Sequence, residues 1–388
     1  MTAVGSPASA PSRRPRPLVL DDEQLLLRDA ARALVAECAP LADLRNRRAA
    51  GDDVGFDRAL HRRLVELGWL GITLPVDQGG SGGRLADTAV LFEVLGANLA
   101  PTPLLSSELL AGRLLAIAGG PTQQSAWLPA VCGGQAILAL AFEDRHHHDR
   151  SSPSTTATRR SGGYVLQGAK REVIDGHVAD QLVVIARSSS GCSAFLVNPT
   201  SPGVTIRRNH LIDHRISADI SLDGVVVDDD ALVGEEGAID AVLDGVLDRA
   251  TVALCAEMLG SAQAIFDRTV AYLRDRVQFD QPIGSFQALQ HRAAIWHCDL
   301  ELARSLVMAA VAAVDDEDPE AGAFASAAKA TMSDLLLRSG AEAIQLHGGI
   351  GMTYEADPGL FVPRARVAAA LLGDATFHRR RFATLNGC

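Results

Sequence analysis

The feature that most constrains this fold is a double change of hydrophobic period along the chain. Between residues 18 and 133 apolar residues recur at three- and four-residue steps. Leu25, Leu26, Leu27, Ala30, Leu34 and Val35 form one stripe, and Leu60, Leu64, Val65 and Leu67 another, as helices with one buried face require. Near Gly134 this gives way to short apolar runs at 136–141, 164–166, 181–186, 194–197 and 204–206. Gly, Ser, Asp and Pro separate the runs at close intervals, which reads as a compact antiparallel β-domain. After Gly234 the helical period returns and holds to the C-terminus. The expected organisation is a tail over 1–17, an N-terminal helical domain over 18–133, a central β-domain over 134–233 and a C-terminal helical bundle over 234–388. That is an α+β fold, mostly α.

Composition narrows the function. A chain of 388 residues can bury more than one core, and 47% hydrophobic with only 4% aromatic residues suits helix bundles. A formal charge of -11 argues against a nucleic-acid surface, which needs clustered Lys and Arg. Cys38, Cys132, Cys192, Cys255, Cys298 and Cys388 are scattered with no C-x-x-C pair, a pattern for a reducing cytoplasm rather than disulfides or zinc. The tail over 1–17 is rich in Ala, Ser, Pro and Arg and lacks a signal peptide's apolar core, so it is expected to be disordered. No apolar run reaches bilayer-spanning length without charge, so a soluble, cytoplasmic protein without a membrane span is expected.

The most informative motif closes a helical stripe through Leu254, Met258, Leu259, Ala262, Ile265, Phe266 and Leu273. There the chain reads Arg276-Val-Gln-Phe-Asp-Gln-Pro-Ile-Gly-Ser-Phe-Gln287. Pro282 and Gly284 end the helix, and Arg276 projects a planar guanidinium suited to phosphate. This R-x-x-F-x-x-P-I-x-x-F-Q stretch resembles the C-terminal helical domain of the acyl-CoA dehydrogenase family. Gln345-Leu-His-Gly-Gly-Ile-Gly351 is similar to that family's Q-x-x-G-G-x-G turn, and Gly68-Trp-Leu-Gly-Ile-Thr-Leu-Pro75 with Gly79 and Gly80 to its N-terminal motif. The resemblance implies an N-terminal helical domain, a central β-domain and a C-terminal four-helix bundle. It implies FAD-dependent α,β-desaturation of an acyl-CoA thioester. In the family, FAD straddles a subunit interface, and the neighbouring protomer contributes the residues matching Arg276, Phe279, Gln287, Gln345, Gly348, Gly349 and Gly351. Asp280 departs from the usual glycine.

The resemblance also implies a carboxylate base that takes a proton alpha to the thioester carbonyl. Aligned on Arg366 and Gly373, the base position falls on Leu372; the alternative position on the preceding helix falls on Ala250, followed by Thr251. Neither can accept a proton. Asp374 and Glu257 are the nearest carboxylates, but Asp374 reads as part of a polar loop and Glu257 as the polar face of its helix. At the positions where the family places flavin donors and a stacking Trp, this chain has Phe142, Ile174 and Glu172. No catalytic residue is therefore assigned. The expectation is a base-lacking subunit that lends its FAD-contacting residues to a second acyl-CoA dehydrogenase subunit in a heterotetramer. The alternatives are a homotetrameric enzyme with a displaced base and a non-catalytic scaffold. The endings His347-Gly-Gly-Ile-Gly-Met-Thr-Tyr-Glu355 and Gly373-Asp-Ala-Thr-Phe-His-Arg379 resemble actinobacterial members that act in pairs on steroid side-chain thioesters.

Four clusters have plainer readings. His146, His147 and His148 lie in a loop where adjacent ligands cannot easily converge on a metal. His210, Asp213 and His214 read as loop or surface residues, the acidic run from Asp315 to Glu320 as a solvated turn, and the glycine-rich 77–83 as a connector. No metal site is assigned, and the acyl group is not fixed by the sequence.

Overall fold

A computed structural model describes residues 19–388 apart from 51, 52, 152 and 354. The tail expected over 1–17 lies outside the described residues. Helix α1 (Asp22–Cys38) starts on a reciprocal cap: Asp21 accepts from Gln24 N while Gln24 Oε1 accepts from Asp21 N. Then follow α2 (Leu41–Ala50), α3 (Arg58–Glu66) and α4 (Leu85–Ala97). A π-helical segment, Leu105–Gly112, runs directly into α5 (Arg113–Ala118), and α6 (Pro121–Cys132) completes the first helical layer.

The central sheet holds β1 (Leu138–Ala141), β2 (Thr156–Arg160), β3 (Gly163–Ile174), β4 (Gln181–Arg187), β5 (Cys192–Val197), β6 (Val204–His210), β7 (Ile216–Asp228) and β8 (Leu232–Val233). Its order is β6-β7-β3-β2-β4-β5-β8, with β1 beside β4. Pairing is antiparallel except that β1 and the first residue of β2 run parallel to β4. Successive residues alternate between two cores, as the pleat demands. Leu138, Leu140, Val183 and Ile185 join the large core shared with the helices, while Ala139, Ala141, Leu182 and Val184 face a second core with Tyr164, Phe195 and Ile220. Burial on both faces explains why β4 reads as an unbroken apolar run. Strand β7 was not among the expected runs, because Ser217, Asp219 and Ser221 interrupt its apolar residues. Asp219 is accommodated by Arg207 at 2.6 Å and Arg171 at 3.2 Å.

The C-terminal bundle consists of α7 (Asp240–Asp275), α8 (Gln287–Asp315) and α9 (Ala321–His347), with α10 (Pro358–Ala370) and α11 (Ala375–Leu385) packed on α9. Helix α7 crosses α4 at backbone contact. A Cβ on Gly260 would lie 1.9 Å from Glu93 O, and one on Gly96 1.9 Å from Glu257 O. Only glycine permits that approach, which fixes where Glu257 enters the interior. The acidic run is only partly the solvated turn expected. Asp315 accepts from Leu85 N at 2.8 Å and Ala86 N at 2.9 Å, because the orphan amides and positive dipole end of α4 attract an anion. No helix among the described residues is long and apolar enough to cross a membrane.

Candidate active site

Two cavities adjoin where the three layers meet. A cavity of about 370 Å³ is walled by the loop after β1, by the end of β3 and by the turn joining α10 to α11. A second, of about 240 Å³, lies between the π-helical segment, the β3 and β7 ends and α10. Glu172, Ile174, Ala370 and Leu371 line both.

The turn from α10 to α11 carries Leu372, the position where the resemblance places a base. Leu372 is buried and left-handed, with φ 56°, followed by Gly373 at φ 101°. Such a conformation is strained for leucine and needs outside restraint. Lys329 supplies it: the buried ammonium donates to Gly373 O at 2.7 Å, Ala369 O at 3.1 Å and Ser333 Oγ at 3.2 Å. His378 Nε2 donates to Leu372 O at 2.8 Å. The turn is thus clamped through its carbonyls while presenting a side chain without acid–base chemistry. At the alternative position, Ala250 and Thr251 are fully buried, and the Thr251 hydroxyl donates to Leu247 O at 2.7 Å.

The two neighbouring carboxylates are occupied differently. Asp374 is exposed, lines the larger cavity and caps α11, accepting from Phe377 N at 2.7 Å. Glu257 does not lie on a polar helix face as expected. It is 4% exposed and accepts from Arg215 at 2.5 Å and Arg364 at 3.1 Å. Arg364 also donates to Asp213 at 2.9 Å, so Asp213 is likewise buried rather than at the surface. The two guanidinium groups draw both carboxylates inward, and the quartet ties β7 and its preceding turn to α7 and α10. Burial alone would raise the Glu257 carboxyl, but Arg215 and Arg364 hold it below its ordinary value.

Around the larger cavity, Phe142 and Ile174 are half-buried, and neither side chain carries a hydrogen-bond donor. Glu172, at φ 50°, hydrogen-bonds with His146 at 3.2 Å. His148 is not a loose loop residue: its side chain is 3% exposed and Nδ1 lies 2.5 Å from Glu143 Oε1. Arg150 Nε donates to its other nitrogen, so the ring proton sits on Nδ1 and is donated to Glu143. Burial disfavours both charged forms, pushing Glu143 up to about 8 and His148 down to about 3. Among the described residues no group of three or more His, Cys, Asp or Glu is placed to hold a metal ion.

The smaller cavity contains a carboxylate that sequence reasoning passed over. Asp175, at φ 54°, accepts from Ser106 Oγ at 2.5 Å; burial pushes it up to about 6 despite Ser106 and nearby Arg215. Its signal was present, in the same Glu172–Gly176 stretch that lacks the expected donors. Lys329 was also missed, although it is the single charge in the 13 residues from Ala321 to Ser333.

The residues matching the family's contributed half all lie at one end of the bundle and away from these cavities. Arg276 caps the C-terminus of α7 and is exposed, as is Gln287 at the start of α8. Gln345, exposed, and Gly348, Gly349 and Gly351 lie at the C-terminus of α9. Tyr272, one turn before Arg276, stacks on His347 with centroids 4.4 Å apart and donates to His347 O, bringing the two motifs together. Phe279 is 85% exposed and, like Asp280, left-handed, at φ 54° and 62°. Gly348 needs its left-handed φ of 65°, and Gly351 has no room for a Cβ beside Ile344 and His347. A Cβ on Gly349 would meet nothing within 4 Å.

Residues 21–135, 140–225 and 240–384 match the acyl-CoA dehydrogenase N-terminal, middle and C-terminal domains. The acyl-CoA dehydrogenase IpdE2 of Mycobacterium tuberculosis is 32% identical over 352 residues, covering 90% of this chain and 93% of that one. The fold superposes on a variant of the Tcur3481–Tcur3483 steroid ACAD with TM-score 0.85 and 30% identity, covering 94% of this chain and 98% of the other. It superposes on the ChsE4–ChsE5 complex from M. tuberculosis with TM-score 0.86 and 28% identity, covering 96% and 99%. With all three domains matched in order around the same helix–sheet–helix architecture, this chain belongs to the acyl-CoA dehydrogenase family.

Proposed function

We propose that this chain works as the base-lacking subunit of a heteromeric, FAD-dependent acyl-CoA dehydrogenase. In this reading it presents Arg276, Phe279, Gln287, Gln345, Gly348, Gly349 and Gly351 to FAD held across the interface by a second acyl-CoA dehydrogenase subunit. The partner supplies the base that takes the alpha proton. FAD, when bound, would supply the hydride acceptor for the α,β-desaturation. The observation that carries the reading is Leu372: the α10–α11 turn keeps a strained, clamped backbone at the base position yet offers a leucine. The other half of the reading draws support from the outward-facing motif. Arg276 stands at a helix end with its guanidinium in solvent, and Gly349 leaves an open approach to backbone, as phosphate contacts require. The chain's own flavin-side wall fits the ring poorly, because Phe142 and Ile174 bring no donors and Glu172 stands where the family has its stacking Trp. Two similar structures are an assembly of two named components, ChsE4–ChsE5, and a steroid ACAD named for two, which favours a paired arrangement.

The homotetramer with a displaced base loses one of its candidates, since Glu257 is held by two arginines. Asp374 is left, as an exposed helix cap. The test is the flavin content of the chain purified alone and together with a second acyl-CoA dehydrogenase chain. A colourless chain that acquires about half an FAD per subunit only with its partner is expected, and Arg276→Ala should abolish that uptake. Yellow, active protein from the chain alone would reject the heteromeric reading.

A further inference from the structure

Arg276 and the Gly348–Gly351 turn end different helices, and each is fixed in its own way. The Arg276 N–H donates to Tyr272 O at 2.9 Å, and the Arg276 carbonyl accepts from Ile283 N at 2.8 Å. A Cβ on Gly284 would lie 2.9 Å from Leu273 O, so the Pro-Ile-Gly turn is packed hard against the end of α7. On the other side, Gly348 N donates to Gln345 O, and a Cβ on Gly351 would lie 2.9 Å from the His347 Cβ. Tyr272 and His347, 75 residues apart in sequence, join the two motifs. Their rings stack at 4.4 Å with 20° between the planes, and the Tyr272 hydroxyl donates to His347 O at 3.3 Å. The His347 ring is itself held, since Nδ1 donates to Ala343 O at 2.7 Å. Both side chains are half-buried, while Arg276 and Gly348 are exposed.

A ligand gripped from two helix ends binds well only when their separation is set before it arrives, because otherwise binding bears the cost of ordering them. Tyr272 is placed to set it. Its carbonyl carries the Arg276 amide, and its hydroxyl ties the His347 carbonyl, whose peptide leads into the left-handed Gly348. On the reading that this end of the bundle meets FAD, we infer that Tyr272 and His347 are positioning residues. They hold Arg276 and the Gly348–Gly351 turn as one preformed surface for the cofactor. A pair that only packed α7 on α9 would affect folding and leave FAD affinity alone.

The test is fluorescence titration of FAD into the deflavinated protein, in whichever assembly takes FAD up, the chain alone or paired with a second acyl-CoA dehydrogenase chain. Dissociation constants are read beside the melting temperature of the same apoprotein. Tyr272→Leu and His347→Ala each remove the stack and are expected to raise the FAD dissociation constant about tenfold. Tyr272→Phe keeps the rings together and should lose no more than about threefold. Arg276→Lys keeps a charge without the planar fork. In that background Tyr272→Leu should cost only about twofold, because little exact geometry is left to align. The positioning role is overturned if Tyr272→Leu and His347→Ala keep wild-type affinity while Arg276→Ala loses it, or if Tyr272→Leu costs the same in both backgrounds. Unchanged affinity in Arg276→Ala, or no FAD uptake by either assembly, would overturn the FAD-contacting reading together with it. Should Tyr272→Leu fail to fold, His347→Ala takes its place in the same comparisons.

Discussion

Replacing Glu257 by Gln keeps the shape of the buried quartet and removes one of its two negative charges. Arg364, 3% exposed, is then left with Asp213 alone, and Arg215 loses a 2.5 Å charged partner. Breaking a buried pair by removing one member costs about 3–5 kcal/mol. The lower end applies here, because the Gln oxygen still accepts one hydrogen bond and the Arg215 side chain is 20% exposed, so water screens its share. At about 2.1 cal/mol/K per residue, a 388-residue chain unfolding as one unit has an unfolding entropy of about 0.8 kcal/mol/K. A loss of about 3 kcal/mol therefore appears as a drop of about 4 °C in Tm at neutral pH. The pH dependence has a definite sign. Glu257 is held below its unfolded value of about 4.3, so its contribution is present above that pH and disappears as pH falls through the folded value. The wild type and Glu257→Gln should converge in acid. Calorimetry or circular dichroism melts across pH measure this, with acyl-CoA dehydrogenase turnover followed in parallel. An unchanged Tm combined with a turnover loss of more than about 10³ would refute the reasoning and make Glu257 a reacting group.

Two further substitutions probe the scaffold around the site. Lys329→Met leaves Ala369 O and Gly373 O unsatisfied, a cost of about 2 kcal/mol or more. Burial pulls Lys329 down to about 8, below the ~10.4 of an unfolded lysine, so the unfolded chain holds the extra proton between those values and wild-type stability rises with pH there. Urea melts should show the wild type's advantage over Lys329→Met widening across that window; a constant or shrinking gap would contradict it. Asp315→Ala uncaps the N-terminus of α4 and should cost about 1–2 kcal/mol, with Asp315→Asn recovering part of it in the same melts; equal loss in both would mean the cap is not the cause.

The large elements were legible because their periodicity is strong. The stripe from Leu254 to Leu273 is indeed a buried helical face with Phe266 at its edge, and the apolar runs at 181–186 and 194–197 are β4 and β5. Strand β7 escaped because its apolar residues alternate with Ser217, Asp219 and Ser221, and the arginines that neutralise Asp219 come from other strands. The same limit hid the quartet. Asp213, Arg215, Glu257 and Arg364 are spread over about 150 residues of chain, and nothing in local spacing announces that they meet. The seven residues matching the family's contributed half were visible because they fall in two short motifs. That both motifs share one end of the bundle depends on Tyr272 and His347, whose contact is not local.

Backbone strain was the least legible property, and it follows the site more closely than side-chain chemistry does. Among the described residues, eight non-glycine residues have positive φ, and five of them are Glu172, Asp175, Phe279, Asp280 and Leu372. Three line the two cavities and two lie in the outward-facing motif. Strain of this kind costs about 1–3 kcal/mol per residue and persists only where the surroundings enforce it. At Leu372 the enforcement comes from Lys329 and His378, whose bonds to the turn go to its backbone carbonyls and would hold it with any side chain at its apex. The turn can therefore outlast the chemistry it carries. A side chain at the apex can change from a carboxylate to a leucine without loosening a single one of these hydrogen bonds. Under the proposed base-lacking role, the hydrogen bonds that hold the turn stay intact while the side chain it carries is apolar.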